Sequence, residues 1–221
     1  MKNIYTGIAL LLATLTATTT LAQDKAAQAK VILDKLSAKT KKVTNLQSSF
    51  SFIMVNKVKK TTEKHDGTLW VKGEKYKLEL TGQTIISDGK TVWTYIKEAN
   101  EVQINNVNRN EDEGKITPRN IFTMYEKGFK YEFVKEELRN KIALQIIKLF
   151  PLEPKKKAFH TAELAVNKLK NEVLSLVVNG KDGTVSTYNV KKMDEKTIIA
   201  DDVFVYNKAK YPTAEVVDLR D

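Results

Sequence analysis

The stretch Ile86-Ser87-Asp88-Gly89-Lys90-Thr91-Val92-Trp93-Thr94-Tyr95 decides the fold. Its Asp-Gly pair sits between two apolar runs, and a tight turn at that point needs the positive φ that Asp-Gly supplies. The reading is strand, turn, strand.

Alternation spreads outward from this hairpin. Phe50, Phe52 and Met54 alternate with Ser49, Ser51 and Ile53, and Leu69 and Val71 repeat the period of two. Tyr76, Leu78 and Leu80 show it most cleanly, because Lys75, Lys77 and Glu79 lie between them. A second hairpin near Ala99-Asn100 returns through Val102 and Ile104. Further strands are expected at 129–133, 142–150, 162–166, 172–178, 184–190 and 197–206. Close turns between short strands mean an antiparallel meander, not a β-α-β fold.

Two segments depart from the period of two. From 24 to 42, Ala29, Ile32, Leu33, Leu36 and Val43 recur at helical spacing with lysines opposite, and Asp24 is placed to cap the helix. At Thr117-Pro118 a capping residue and a first-turn proline predict a short helix over 118–127. It carries Ile121, Phe122 and Tyr125 on one face and stops at Gly128. The polar stretch 105–114, with Glu111-Asp112-Glu113, reads as an exposed loop. There is no repeat and no linker. The expectation is one mainly β (α+β) domain over 23–221, a long curved antiparallel sheet with helices on its concave side.

The first residues combine one lysine, Lys2, an apolar run through Leu15, and Thr20-Leu21-Ala22. That order is a secretory signal peptide, and cleavage after Ala22 is expected. The remaining 199 residues would carry +9 of the chain's formal +10. No cysteine is present, which removes disulfides, thiolate chemistry and cysteine-held zinc. The basic excess is spread through the chain, densest at Lys155-Lys156-Lys157, with no nucleic-acid motif. It fits a solvated surface with weak attraction to anionic headgroups, and nucleic acid is not expected as a partner.

Nothing here points to catalysis. His65 beside Asp66, and His160, are the only histidines. Neighbouring residues on a strand or turn point to different sides, and no nucleophile motif accompanies them. The acidic run lacks the alternating spacing of a calcium loop. No metal, cofactor or enzymatic activity is expected.

The apolar inventory is more informative. Few large side chains come from the helices: Ile32, Leu33, Leu36, Ile121, Phe122 and Tyr125. The strands offer many more. The space between them is either a filled core or an apolar cavity under the helices. Composition leaves both open.

The segments Asn45 to Phe50, Gly67-Thr68-Leu69-Trp70-Val71-Lys72, Ser87-Asp88-Gly89-Lys90-Thr91 with Trp93 and Tyr95, and the later Lys181-Asp182-Gly183-Thr184 together resemble the LolA family of lipoprotein carriers. The resemblance extends over the whole chain after the signal peptide. It implies an open, incomplete antiparallel β-barrel with a helical lid over an apolar cavity. It further implies a periplasmic carrier, expected to act as a monomer. Such a carrier takes acylated lipoproteins from an inner-membrane lipoprotein-releasing ABC transporter to an outer-membrane acceptor, with transient contact at a membrane surface. By the resemblance, Phe50, Phe52, Met54, Leu69, Val71, Tyr76, Leu78, Leu80, Trp93 and Tyr95 would line the cavity. Ile32, Leu33, Leu36, Ile121, Phe122 and Tyr125 would form the lid. Lys72 stands near the family's lid-latching arginine, and lysine lacks the planar fork of donors. The alternatives are a lipid- or lipoprotein-sensing regulatory domain of the same fold, or a structural protein with a filled core.

Overall fold

A computed structural model describes residues 8–108, 116–117 and 120–220. One long helix, α1 (Ile8–Thr40), precedes a single sheet of twelve strands. The strands are β1 (Asn45–Asn56), β2 (Thr61–Lys72), β3 (Lys75–Leu80), β4 (Gln83–Ser87), β5 (Thr91–Ile96), β6 (Glu101–Asn106), β7 (Phe129–Arg139), β8 (Ile142–Pro151), β9 (Phe159–Asn167), β10 (Glu172–Gly180), β11 (Thr184–Asp194) and β12 (Glu215–Asp218). Their order is β12-β6-β5-β4-β3-β2-β1-β11-β10-β9-β8-β7. Two meanders, β1–β6 and β7–β11, are joined where β11 returns to pair with β1, and the sheet stays open at β7 and β12.

The deciding hairpin forms as expected between β4 and β5. The Asp88 carboxylate accepts from the backbone of Lys90 (2.8 Å) and Thr91 (2.7 Å), and Gly89 takes φ +91°. A side chain at Gly89 would also crowd the Cβ of Glu74 at 3.2 Å.

Residues opposite each other across a ladder share a face. The pairings therefore trace one inner row from His65 through Phe52, Tyr188, Leu176, Leu164 and Ile147 to Phe133. Helix α1 covers only part of this face. Its stripe Ala29, Ile32, Leu33 and Leu36 is buried in one cluster with Ile147, Leu149, Leu164, Val166 and Leu176 of β8–β10. The Lys39 ammonium holds the helix end, meeting Glu172 and, at 3.3 Å, Glu195.

Four expectations need correction. Asp24 is not a cap, because α1 runs continuously through it. Proline 118 lies outside the described residues, and 120–123 form a turn leading into one 3₁₀ turn, Met124–Glu126, in place of an α-helix to 127. The expected strand at 197–206 is instead extended chain and a 3₁₀ turn, Asp201–Phe204. Its Asp201 carboxylate is held by Lys72 (3.0 Å) and Lys75 (3.1 Å), while Ile198 is 95% exposed, so the segment has no ladder to join. The last described strand is β12, and it runs parallel to β6, the one departure from antiparallel pairing among the described residues. The polar stretch 105–114 lies mostly outside the described residues.

The inner cluster makes a quantitative demand on α1. Leu36 is 2% exposed and Leu169 is 86% exposed. Replacing Leu36 by Ala should lower unfolding free energy by about 2–5 kcal/mol, whereas Leu169→Ala should change it by less than about 0.5 kcal/mol. Urea unfolding followed by circular dichroism checks both.

Candidate functional site

Where α1 leaves the inner face uncovered, the sheet walls a cavity of about 210 Å³. Its lining comes from β1 (Ser48, Phe50, Phe52), β2 (Leu69), β3 (Leu78, Leu80), β4 (Ile85), β10 (Val173, Leu176) and β11 (Tyr188, Val190). Ile116, Thr117, Ile121 and Phe122 form the opposite wall. The register explains the grouping. Ser48 faces Leu69, Leu69 faces Leu78 and Leu78 faces Ile85, while Phe50 pairs with Gly67 and Val190.

Gly67 is required by this wall. A Cβ there would come within 2.7 Å of Leu80 Cδ2 and Phe50 Cζ, and within 2.9 Å of the Glu79 carbonyl. The two large side chains lie over the glycine, so the wall stays flat.

The cover is a polar clasp carrying apolar side chains. The Thr117 N–H donates to Asn120 Oδ1 at 2.8 Å, and the Asn120 N–H donates back to Thr117 Oγ1 at 3.3 Å. This reciprocal pair closes a turn that begins the segment. At its other end the Ser37 hydroxyl of α1 donates to the Glu126 carboxylate, and Tyr125 is 2% exposed in the α1 cluster. Ile121 and Phe122, between these anchors, point at the chamber.

Phe122 has a particular position. It walls the chamber, a small space beside Leu36 and Val173, and a wider cleft of about 500 Å³ bounded by Thr40–Thr44 and Val71–Glu74. On the other side, Ile116 and Tyr188 are shared with a cleft of about 400 Å³ next to Phe159 and Lys181. The chamber thus lies between two wider clefts, separated from one by Phe122 and sharing Ile116 and Tyr188 as walls with the other.

The structure brings together Phe50, Phe52, Leu69, Leu78 and Leu80 with Ile121 and Phe122. Met54, Val71 and Tyr76 share the inner face but lie outside the chamber, Val71 lining the wider cleft. Ile32, Leu33, Leu36 and Tyr125 belong to the packed core, where they anchor the cover and do not form it. Trp93 and Tyr95 are on the other face. Trp93 pairs with Ile86 and Ile104, and Tyr95 pairs with Val102, one residue out of step with Leu78 and Ile85.

That outer face has its own covering. Ile199, Phe204 and Ala214 are buried, the Tyr211 ring lies 4.5 Å from Tyr95, and the Asn100 amide donates to the Thr213 carbonyl at 2.9 Å. Lys72 belongs here too. Its ammonium donates to the Ile199 carbonyl at 3.0 Å and pairs with Asp201, so it fastens the C-terminal segment and not the cover. Lysines 72 and 75 hold the Asp201 carboxyl below its usual range.

Local reading did not find Ser48, Ile85, Ile116, Thr117, Val173, Leu176, Tyr188 and Val190 in the lining. Tyr188 and Val190 do alternate in β11, but their place opposite Phe52 and Phe50 depends on a pairing across more than a hundred residues.

Among the described residues, no three His, Cys, Asp or Glu side chains are grouped to hold a metal, and no helix is long and apolar enough to cross a membrane. The chamber's lining is mostly apolar, with Ser48, Thr117 and Tyr188 as its hydroxyl-bearing residues, and it suits an apolar guest.

Burial under the cover has a measurable signature. It pushes the Tyr125 phenol up to about 12. In the unfolded chain that phenol ionises near 10, so the stabilisation is complete below about pH 10 and lost as pH rises towards the folded value. Burial raises Tyr188 and Tyr206 as well, so ultraviolet titration should show several late-ionising tyrosines, the last of which is lost in Tyr125→Phe.

Comparison with known proteins follows the same lines. The fold is shared with an uncharacterized conserved protein from Thermus thermophilus, at 15% identity and a TM-score of 0.57, covering 86% of this chain and 99% of that one. A DUF1329 family protein from Desulfovibrio piger matches at 9% identity and a TM-score of 0.50, covering 82% and 98%. A LolA superfamily protein from Nitrosomonas europaea matches at 11% identity and a TM-score of 0.39, covering 74% and 91%. No curated protein matches the chain. The family model described as outer membrane lipoprotein carrier protein LolA matches residues 41–207, from just after α1 into the outer-face segment, and the chain belongs to that family.

Proposed function

We propose that this protein is a non-enzymatic carrier whose chamber shields the acyl chains of lipoproteins from water. In this reading the segment 1–22 is removed on export and the mature chain works in the periplasm. It receives acylated lipoproteins from an inner-membrane lipoprotein-releasing ABC transporter and gives them to an outer-membrane acceptor. The observation that carries the reading is the chamber itself. Its volume of about 210 Å³ exceeds the ~150 Å³ of an engineered apolar cavity that stays dry and binds benzene.

The energetics suit uptake followed by release. Each methylene withdrawn from water contributes about 0.8 kcal/mol, so one acyl chain gains on the order of 10 kcal/mol when fully buried. Full burial would trap the cargo. Here a guest fills the middle chamber and extends past Phe122 or past Ile116 and Tyr188 into wider clefts, where part of it stays within reach of an acceptor. Ile121 and Phe122 occupy the surface a guest needs, so the cover and the cargo compete for it. No ATP is required in this protein.

Binding of a fluorescent fatty acid tests the reading. Leu78 is 9% exposed on the chamber wall. Leu78→Glu should weaken the probe by roughly a hundredfold or more, because a carboxylate against an acyl chain loses its hydration, with the far-ultraviolet spectrum unchanged. Phe122→Ala should alter probe affinity by joining the chamber to the wider cleft, and Lys72→Ala should leave it within about twofold, since Lys72 serves the outer face. Global unfolding of Leu78→Glu would instead mark a filled core.

A further inference from the structure

Three loops at one end of the sheet form a single basic rim. They are the β1–β2 turn at 56–61, the β8–β9 loop at 151–159 and the β10–β11 turn at 180–184. The register puts them side by side, because Asn56 pairs with Thr61 and Thr184, and Gly180 pairs with Phe159. Backbone hydrogen bonds lock them together. The Lys57 N–H donates to the Gly183 carbonyl at 3.1 Å, and the Lys181 N–H donates to the Ala158 carbonyl at 3.0 Å. The Lys181 ammonium also reaches the Pro154 carbonyl.

The rim carries Lys57, Lys59, Lys60, Lys155, Lys156, Lys157 and Lys181 against Glu153 and Asp182. Seven lysines against two carboxylates give it +5, half of the chain's formal +10. Glu153 pairs with Lys156 at 2.9 Å, and the Asp182 carboxylate is engaged by the Thr184 N–H and hydroxyl. The opposite end is also rich in lysine, but several of its lysines are paired with carboxylates. There Lys39 meets Glu172 and Glu195, Lys72 and Lys75 share Asp201, and Lys168 meets Glu136.

Two apolar side chains stand out among these lysines. Val58 is 76% exposed at the tip of the β1–β2 turn, over Gly183, and Leu152 is 55% exposed in the β8–β9 loop. Exposed apolar residues ringed by lysines suit a surface that is anionic outside and apolar just beneath. An acidic protein face would satisfy the lysines and leave the two tips without a partner. The rim also borders the chamber's side cleft, to which Gly180, Lys181, Asp182 and Thr184 contribute together with Ile116 and Tyr188.

We infer that this rim docks on an anionic lipid bilayer. The lysines meet the headgroup phosphates, Val58 and Leu152 enter the interface, and the side cleft faces the lipid. The contact is reversible, because it relies on screened charge and two small apolar side chains. Docking is a property of the rim and does not depend on what the chamber holds.

Flotation of the full chain with vesicles tests the assignment. One set contains phosphatidylethanolamine and phosphatidylglycerol in equal parts, and the other phosphatidylcholine alone. Wild type should float with the anionic vesicles at low salt, be released as salt rises, and stay off the neutral ones. Combined Lys57→Gln, Lys59→Gln and Lys155→Gln should lower partitioning by about a hundredfold, at about fivefold for each lysine lost near an anionic surface. Lys192→Gln with Lys196→Gln at the other end should change it less than about threefold. Val58→Asp with Leu152→Asp should remove the part of binding that survives moderate salt. The triple lysine variant should still bind the fluorescent fatty acid, which separates a failure of docking from a failure of the chamber reading. Absence of wild-type binding to anionic vesicles, equal binding to neutral ones, or an unchanged triple variant would overturn the inference.

Discussion

The structure depends on a mismatch of areas. One sheet presents an apolar inner face from β4 through β1 to β7, and one helix stripe of Ala29, Ile32, Leu33 and Leu36 covers only the β7–β10 part of it. A layer of this kind must bury its face against something. Over β1–β4 that something is a thin clasp, held at Thr117–Asn120 and at Ser37–Glu126, which lays Ile121 and Phe122 over a space it does not fill. The chamber is therefore a consequence of chain economy. A second long helix in place of the clasp would give an ordinary core.

The two faces of the sheet divide the work. The inner face holds the chamber, and the outer face of β3–β6 is sealed by the chain from Ile199 to Ala214, with β12 completing the edge. Lys72 and Lys75 fasten that seal through Asp201. The seal matters for the chamber as well, since it braces β3 and β4 from behind while Leu78 and Ile85 stay available in front. The chamber wall can thus remain rigid while the clasp, held by a few polar contacts, is the part able to move.

Much of the fold was legible because strand period and turn chemistry are local. Asp88-Gly89 and the alternation of Tyr76, Leu78 and Leu80 each specify their strands without help from distant residues. Faces were less legible. Ile85 and Ile86 are adjacent and both apolar, so alternation alone does not say which looks inward, and Trp93 and Tyr95 went to the outer side by register with Ile86 and Val102. The outer seal was invisible for a related reason. Its residues Ile199, Phe204 and Ala214 follow no regular period, and they are buried by tertiary contact only. The half of the chamber contributed by β10 and β11 depends on the β1–β11 pairing, which no local pattern announces.

The central claim is that the uncovered part of the inner face holds an acyl chain. Native mass spectrometry of the protein, isolated from cell envelopes without detergent, tests it most directly. The account predicts a species heavier than the bare chain, carrying an acylated molecule, that is absent from Leu78→Glu prepared in the same way. Bare chain alone in the wild type, or the same adduct retained by Leu78→Glu, would contradict it.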